Sequence, residues 1–213
     1  MKDSKRTTAA ALCAAALLAA ICTPAAAATL AASDASWHVT ATGPATGWDT
    51  SASFDDTAWQ SATVLYDVSQ YLGPAYAGTK GIWTQAGQFS TTDTTIWGRT
   101  VLNLAAVPQS ATLEYGIDDD GDIFVNGALV VGDHNGIANG GLVDITSHLV
   151  AGANVIAFTA TDNFAAWGYN HQAWIRVDGV VAAVPEPSTY AMFLLGLVAV
   201  GLVRGRSRRE RDR

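Results

Sequence analysis

From Ser36 to Val177 the chain alternates apolar and polar positions with a period of two, the spacing of a strand with one buried face. Ser36–Ala41, Thr95–Leu104 and Ala111–Ile117 alternate and are rich in strand-forming residues. Ile123-Phe124-Val125 runs into Asn126-Gly127, the dipeptide of a type I′ hairpin turn, and Ala128–Val131 follows as the return strand. Val143–Thr146, Asn154–Ala160 and Ala173–Val177 continue the series. Short strands broken by Gly, Asn and Asp predict an all-β fold, an antiparallel β-sandwich or jelly roll. The stretch has no helical stripe; one helical turn is expected at Thr57–Ser61.

The two ends of the chain break this rhythm. Lys2, Lys5 and Arg6 precede an apolar run from Ala9 to Ile21, then Pro24 and the small residues Ala25–Ala28. A basic start, a short apolar middle and a small-residue cleavage site predict a signal peptide over 1–28. Cys13 and Cys22, the only cysteines, fall inside it, so the mature chain has none and must hold together by its core. At the other end Tyr190–Val203 carries no charge, and six arginines are spread over 204–213. Fourteen helical residues span about 21 Å against a hydrocarbon core of about 30 Å, a gap that bilayer thinning and snorkelling arginines close. The expectation is one membrane helix over 189–203 with the basic tail 204–213 in the cytoplasm, and the preceding domain on the other side.

Between the ends lies a domain of about 155 residues, 29–183, large enough to bury about 70% of its unfolded surface. The whole chain has a net charge of −7. The domain alone carries fourteen Asp and one Glu against Lys80, Arg99 and Arg176, a net of about −12. That balance repels nucleic acid and anionic lipid, and disfavours anionic polysaccharide unless a divalent cation bridges the two. The preference for Asp over Glu suits turns, where a short carboxylate bonds the local backbone.

Val184-Pro185-Glu186-Pro187-Ser188, the apolar run and the arginine end together resemble the PEP-CTERM sorting signal of exopolysaccharide-producing Gram-negative bacteria. The resemblance implies recognition by an exosortase, a membrane-embedded cysteine transpeptidase-like enzyme, with cleavage near Pro185-Glu186-Pro187. It also implies delivery to the cell surface or extracellular matrix, so that 184–213 are a substrate and not a catalytic site. A second resemblance, to galactose-binding-like jelly-roll domains, rests on four segments in order. Ser53–Trp59 is similar to their "FDDSSW" segment, and Trp97–Leu102 to an aromatic and Arg before a strand. Asp118–Gly127 is similar to their "DDGAEVYVNG" hairpin. Val143–Leu149 with Gly152–Ala157 is similar to their "DITDLLKAGENVIAV" strand pair. An extra Asp in the hairpin and a Gly-rich insert, Gly132–Gly141, depart from the pattern.

Candidate sites follow from residue chemistry, each beside a plainer reading. Asp118, Asp120 and Asp122, with Asp119 between them, are candidate oxygen ligands for calcium, although the spacing is not that of an EF-hand loop. Their plainer role is to cap turns. Asp55-Asp56 reads as a turn, with Phe54 and Trp59 packing into the core. Trp83, Trp167, Tyr169 and Trp174 are candidate stacking surfaces for sugar rings, or else core aromatics. The loop 163–171, with three aromatics, is the best placed for binding. Catalytic signatures are missing: no Gly-x-Ser-x-Gly elbow, no His-Glu-x-x-His, and four scattered histidines, of which His134 beside Asp133 reads as a solvated loop. The sequence therefore predicts a non-enzymatic, exported β-sandwich with a polysaccharide as its candidate ligand. The alternatives are an adhesive matrix protein without a discrete ligand, and a hydrolase with an unrecognised carboxylate pair.

Overall fold

The computed structural model describes residues 26–85, 94–136, 139–164, 172–181 and 192–197. The chain divides into a β unit, 27–181, and a second unit made of 1–26 with 182–213. Of the second unit only residue 26 and the six residues 192–197, which are helical, are described. Among the described residues no helix is long and apolar enough to cross a membrane. The sorting motif 184–188, most of the expected helix 189–203 and the signal peptide up to residue 25 lie outside them.

The β unit is a sandwich of two antiparallel sheets. Sheet A has the order β10 (Asn139–Asp144), β7 (Ser110–Asp118), β12 (Gln172–Val181), β5 (Lys80–Trp83), β4 (Thr63–Asp67), with β1 (Ala26–Ala32) also pairing with β12. Sheet B has the order β3 (Gln60–Ser61), β2 (His38–Thr40), β6 (Thr95–Leu104), β11 (Gly152–Thr161), β8 (Asp120–Val125), β9 (Ala128–Asp133). Between β6 and β12 the chain changes sheet at every connection except the β8–β9 hairpin. One face of each sheet supplies the core, with Ile82, Leu113, Ile117 and Ile175 from sheet A against Val39, Ile96, Ile123, Ile156 and Phe158 from sheet B. This all-β architecture is the one the alternation predicts.

Local signals account for most turns. Asn126 and Gly127 both have positive φ, 51° and 80°, as a type I′ turn requires. Asn126 also fastens its hairpin to the β10–β11 connection: Nδ2 donates to the His148 carbonyl and to Asn154 Oδ1, and Oδ1 accepts the Val155 N–H. Asp34, Asp55, Asp67 and Asp144 repeat one device, in which a single carboxylate oxygen accepts both the N–H and the hydroxyl of a Ser or Thr two residues on. Those bonds hold the Asp55 and Asp144 carboxyls below the ordinary Asp value.

The structure corrects several local expectations. The turn expected over Thr57–Ser61 is confined to Thr57–Ala58, closed by the Trp59 N–H donating to the Asp56 carbonyl, because Gln60–Ser61 pairs with β2. The strand expected at Val143–Thr146 lies earlier, at Asn139–Asp144, and Thr146–His148 is a short 3-10 turn. The described parts of the Gly-rich insert 132–141 include the end of β9 in sheet B and the start of β10 in sheet A. Phe54 and Trp59 do not enter the inter-sheet core. Trp59 meets Phe54 and Trp48, and Trp48 meets Phe124, on the outer face of sheet B. Arg99, fully buried there, ties this covering loop down by donating to the Trp48 and Ser51 carbonyls and pairing with Asp56. His38 Nδ1 stands 3.0 Å from Asp56 Oδ1.

Candidate functional site

Alternation along β12 places Ala173, Ile175 and Val177 in the core, so Gln172, Trp174, Arg176 and Asp178 face outward from sheet A. Gly116 on β7 is the register partner of Trp174, and Gly81 on β5 that of Tyr66 on β4. The aromatic rings pack closely over these glycines. A Cβ on Gly116 would stand 2.3 Å from Trp174 Nε1, and one on Gly81 2.2 Å from Tyr66 Cε1. Only a residue without a side chain admits such an approach.

A short helix, α1 (Ser69–Leu72), and a 3-10 turn at Pro74–Tyr76 add two further rings to the same face. Tyr71, 67% exposed, meets Tyr66 edge-on at 5.3 Å, and Tyr76 meets Trp174 edge-on at 5.9 Å. Hydrogen-bonding groups sit among the rings. The Tyr66 hydroxyl donates to Gln172 Oε1, and the Tyr76 hydroxyl donates to Glu114 Oε1 at 3.0 Å. Burial, with the neighbouring Tyr71 and Asp118 charges, raises the Tyr66 hydroxyl pKa, so it stays a neutral donor. Burial and the Glu114 bond raise that of Tyr76 in the same direction. Arg176 lies over the Tyr76 ring at 5.9 Å while its Nε and Nη2 hold both oxygens of Asp178. The face thus combines four aromatic rings with amide, hydroxyl and carboxylate groups, a composition that suits the apolar faces and hydroxyl edges of a sugar.

Beyond Gln172, its register partner Asp118 is nearly buried. Asp119 and Asp162, both buried, are its close neighbours in charge. Burial first, then the hydrogen bond with Asp119 and the charges of Asp119 and Asp162, push the Asp118 carboxyl up to about 7. Asp162 is raised as well, by burial and by Asp119.

The expected calcium site is not assembled. Asp118 ends β7 in sheet A, whereas Asp120 and Asp122 face outward on β8 in sheet B. Asp120 accepts from the Gly136 N–H at 2.6 Å and from Asn163 Nδ2 at 2.7 Å, which hold its carboxyl below the ordinary value. Asp122 is 2.9 Å from His134 Nε2. Among the described residues no three Asp, Glu, His or Cys side chains converge to hold a metal ion. The change of sheet between Asp118 and Asp120 separates residues that are neighbours in sequence.

The aromatic candidates divide. Trp174 stands in the outward face described above. Trp83 is fully buried, its ring withheld from any sugar, which corrects its assignment as a contact residue. Trp167 and Tyr169 lie outside the described residues. Tyr66, Tyr71, Tyr76, Gln172 and Arg176 were not singled out from sequence. Their signal was three tyrosines five residues apart in a segment with no clear periodicity.

Residues 183–209 match the PEP-CTERM protein-sorting motif. Among solved structures the chain is similar to a glycosyl hydrolase family 2 member from Bacteroides cellulosilyticus, at 18% identity over 69% of this chain and 20% of that one, with a TM-score of 0.43. It is similar to an exo-chitosanase from Amycolatopsis orientalis, at 18% identity over 71% of this chain and 20% of that one, TM-score 0.45. A beta-glucuronidase from Bacteroides uniformis matches at 18% identity over 72% of this chain and 18% of that one, TM-score 0.43. The chain spans about a fifth of the length of these structures. No curated protein matches it in sequence.

Proposed function

We propose that this chain, which carries a PEP-CTERM sorting motif over 183–209, is an exported, exosortase-processed protein of a Gram-negative envelope whose β-sandwich binds glycan without catalysis. In this reading the signal peptide 1–28 directs export. The apolar segment 189–203 then holds the precursor in the inner membrane, arginines inward, until exosortase acts at Val184-Pro185-Glu186-Pro187-Ser188. The sandwich is displayed at the surface or in the extracellular matrix.

The observation that carries the binding role is the outward face of sheet A, where Tyr66, Tyr71, Tyr76 and Trp174 share one surface with Gln172 and Glu114. A purely structural matrix protein has no need to keep four rings together on a solvent-facing sheet. Glycan-array binding of the full-length protein in detergent, compared with Trp174→Ala, tests the reading. Binding by the parent and its loss in the variant are expected. Equal binding by both would remove the sheet-A face from the account, and no binding by either would favour the adhesive alternative. Fractionating cells with and without exosortase, and following the size of the protein, tests the delivery route.

A further inference from the structure

The domain's three basic side chains are each committed to an aspartate within the fold: Lys80 to Asp67, Arg99 to Asp56 and Arg176 to Asp178. Each of the three charges is thus matched by an aspartate, although Arg176 Nη1 is buried without a hydrogen-bond partner, and among the described carboxylates only Asp56, Asp67 and Asp178 pair with lysine or arginine. We propose that the sheet-A face selects a glycan bearing protonated amino groups, such as a glucosamine polymer, over neutral or uronate-bearing glycans. This rests on the glycan reading above and names its ligand class.

Two features of the face itself point the same way. Glu114, half-buried between Tyr76 and the strand that bears Trp174, faces Arg176 in register, yet that guanidinium already holds both oxygens of Asp178. Glu114 therefore keeps its charge available beside the rings. At the other end the buried carboxyls of Asp118, Asp119 and Asp162 lie past Gln172 with no lysine or arginine among them, and Asp162 Oδ2 is buried without a hydrogen-bond partner. An ammonium group brought to the Glu114 end finds a carboxylate acceptor, while a uronate meets the repulsion of the acidic face. The rings packed over Gly81 and Gly116 distinguish such a ligand from a basic peptide, because they offer surface to pyranose C–H groups and not to charge alone.

The test compares short glucosamine oligomers, their N-acetylated forms, uronate oligomers and oligolysine in mildly acidic, low-salt buffer, using the full-length protein in detergent. We expect glucosamine oligomers to bind about tenfold more tightly than the acetylated forms, with the difference shrinking as salt screens it. Uronates should not bind. Glu114→Gln should reduce the preference for the amino sugar, while Trp174→Ala should weaken binding of both forms. Equal affinity for the two forms, or a preference indifferent to salt, would overturn the charge proposal and leave the glycan reading standing. Oligolysine binding as tightly as the amino sugar would also overturn it, since the rings would then contribute nothing. Binding of no oligosaccharide at all would sink both.

Discussion

Asp118 should make the stability of the sandwich fall as pH rises from about 4 to about 7. Its carboxyl is pushed up to about 7 from the ordinary 3.8, chiefly by burial and then by Asp119 and Asp162. A folded state that holds a proton more tightly than the unfolded chain is favoured at low pH. The advantage is complete below about pH 4, declines as pH rises, and is gone above about pH 7. At about 1.4 kcal/mol per pH unit, the interval from 3.8 to about 7 corresponds to at most about 4 kcal/mol. Asp118→Asn keeps the shape and removes the charge. Denaturant unfolding followed by tryptophan fluorescence at about pH 5 and about pH 8 should show a marked loss for the parent and a much smaller one for the variant. The variant should be the more stable of the two at the higher pH. Asp55→Asn is the control, since Asp55 is exposed and its carboxyl is shifted the other way. If Asp118→Asn lost as much stability as the parent over that interval, the buried-carboxyl argument would be wrong.

Three further outcomes are expected. Asp56→Ala should destabilise by about 3 kcal/mol in denaturant unfolding, because it leaves the buried Arg99 guanidinium without its counter-charge. A milder effect, within about 1 kcal/mol, would mean that the Trp48 and Ser51 carbonyls suffice to hold Arg99. Gly116→Ala should push Trp174 off the sheet and cost about 1–3 kcal/mol together with glycan binding; unchanged binding would show that Trp174 need not pack over Gly116. Asn126→Ala should cost about 2 kcal/mol by orphaning its partners in the β10–β11 connection, measurable as a lowered melting temperature.

Local chemistry was legible and long-range placement was not. Thr95–Leu104 and the Asn126-Gly127 turn lie where alternation and turn propensity put them, because both depend on contacts within a few residues. The aspartates were likewise expected at turns, and four of them repeat a bond to the second residue on. Strands β1, β3, β4 and β5 were missed. β1 lies in an alanine-rich segment without alternation, β3, β4 and β5 are short, and β4 carries an irregularity between Val64 and Tyr66. The calcium ligands failed for a related reason: spacing along the chain describes a loop only when the chain stays in one sheet, and here it changes sheet between Asp118 and Asp120.

By itself the sequence determined that the domain is a β-sandwich, that its acid excess repels anions, and that 183–209 carry a sorting motif. These are properties of composition, period and short segments, which need no partner far along the chain. Only the tertiary structure decided that Trp83 is core while Trp174 is surface, although both are strand tryptophans. It also decided that Tyr66, Tyr71, Tyr76 and Trp174 share a face, and that Arg99 spends its charge on Asp56. Each of these depends on which strands lie side by side and in what register. Sheet order is set by burial of the whole core, so no single segment carries the information.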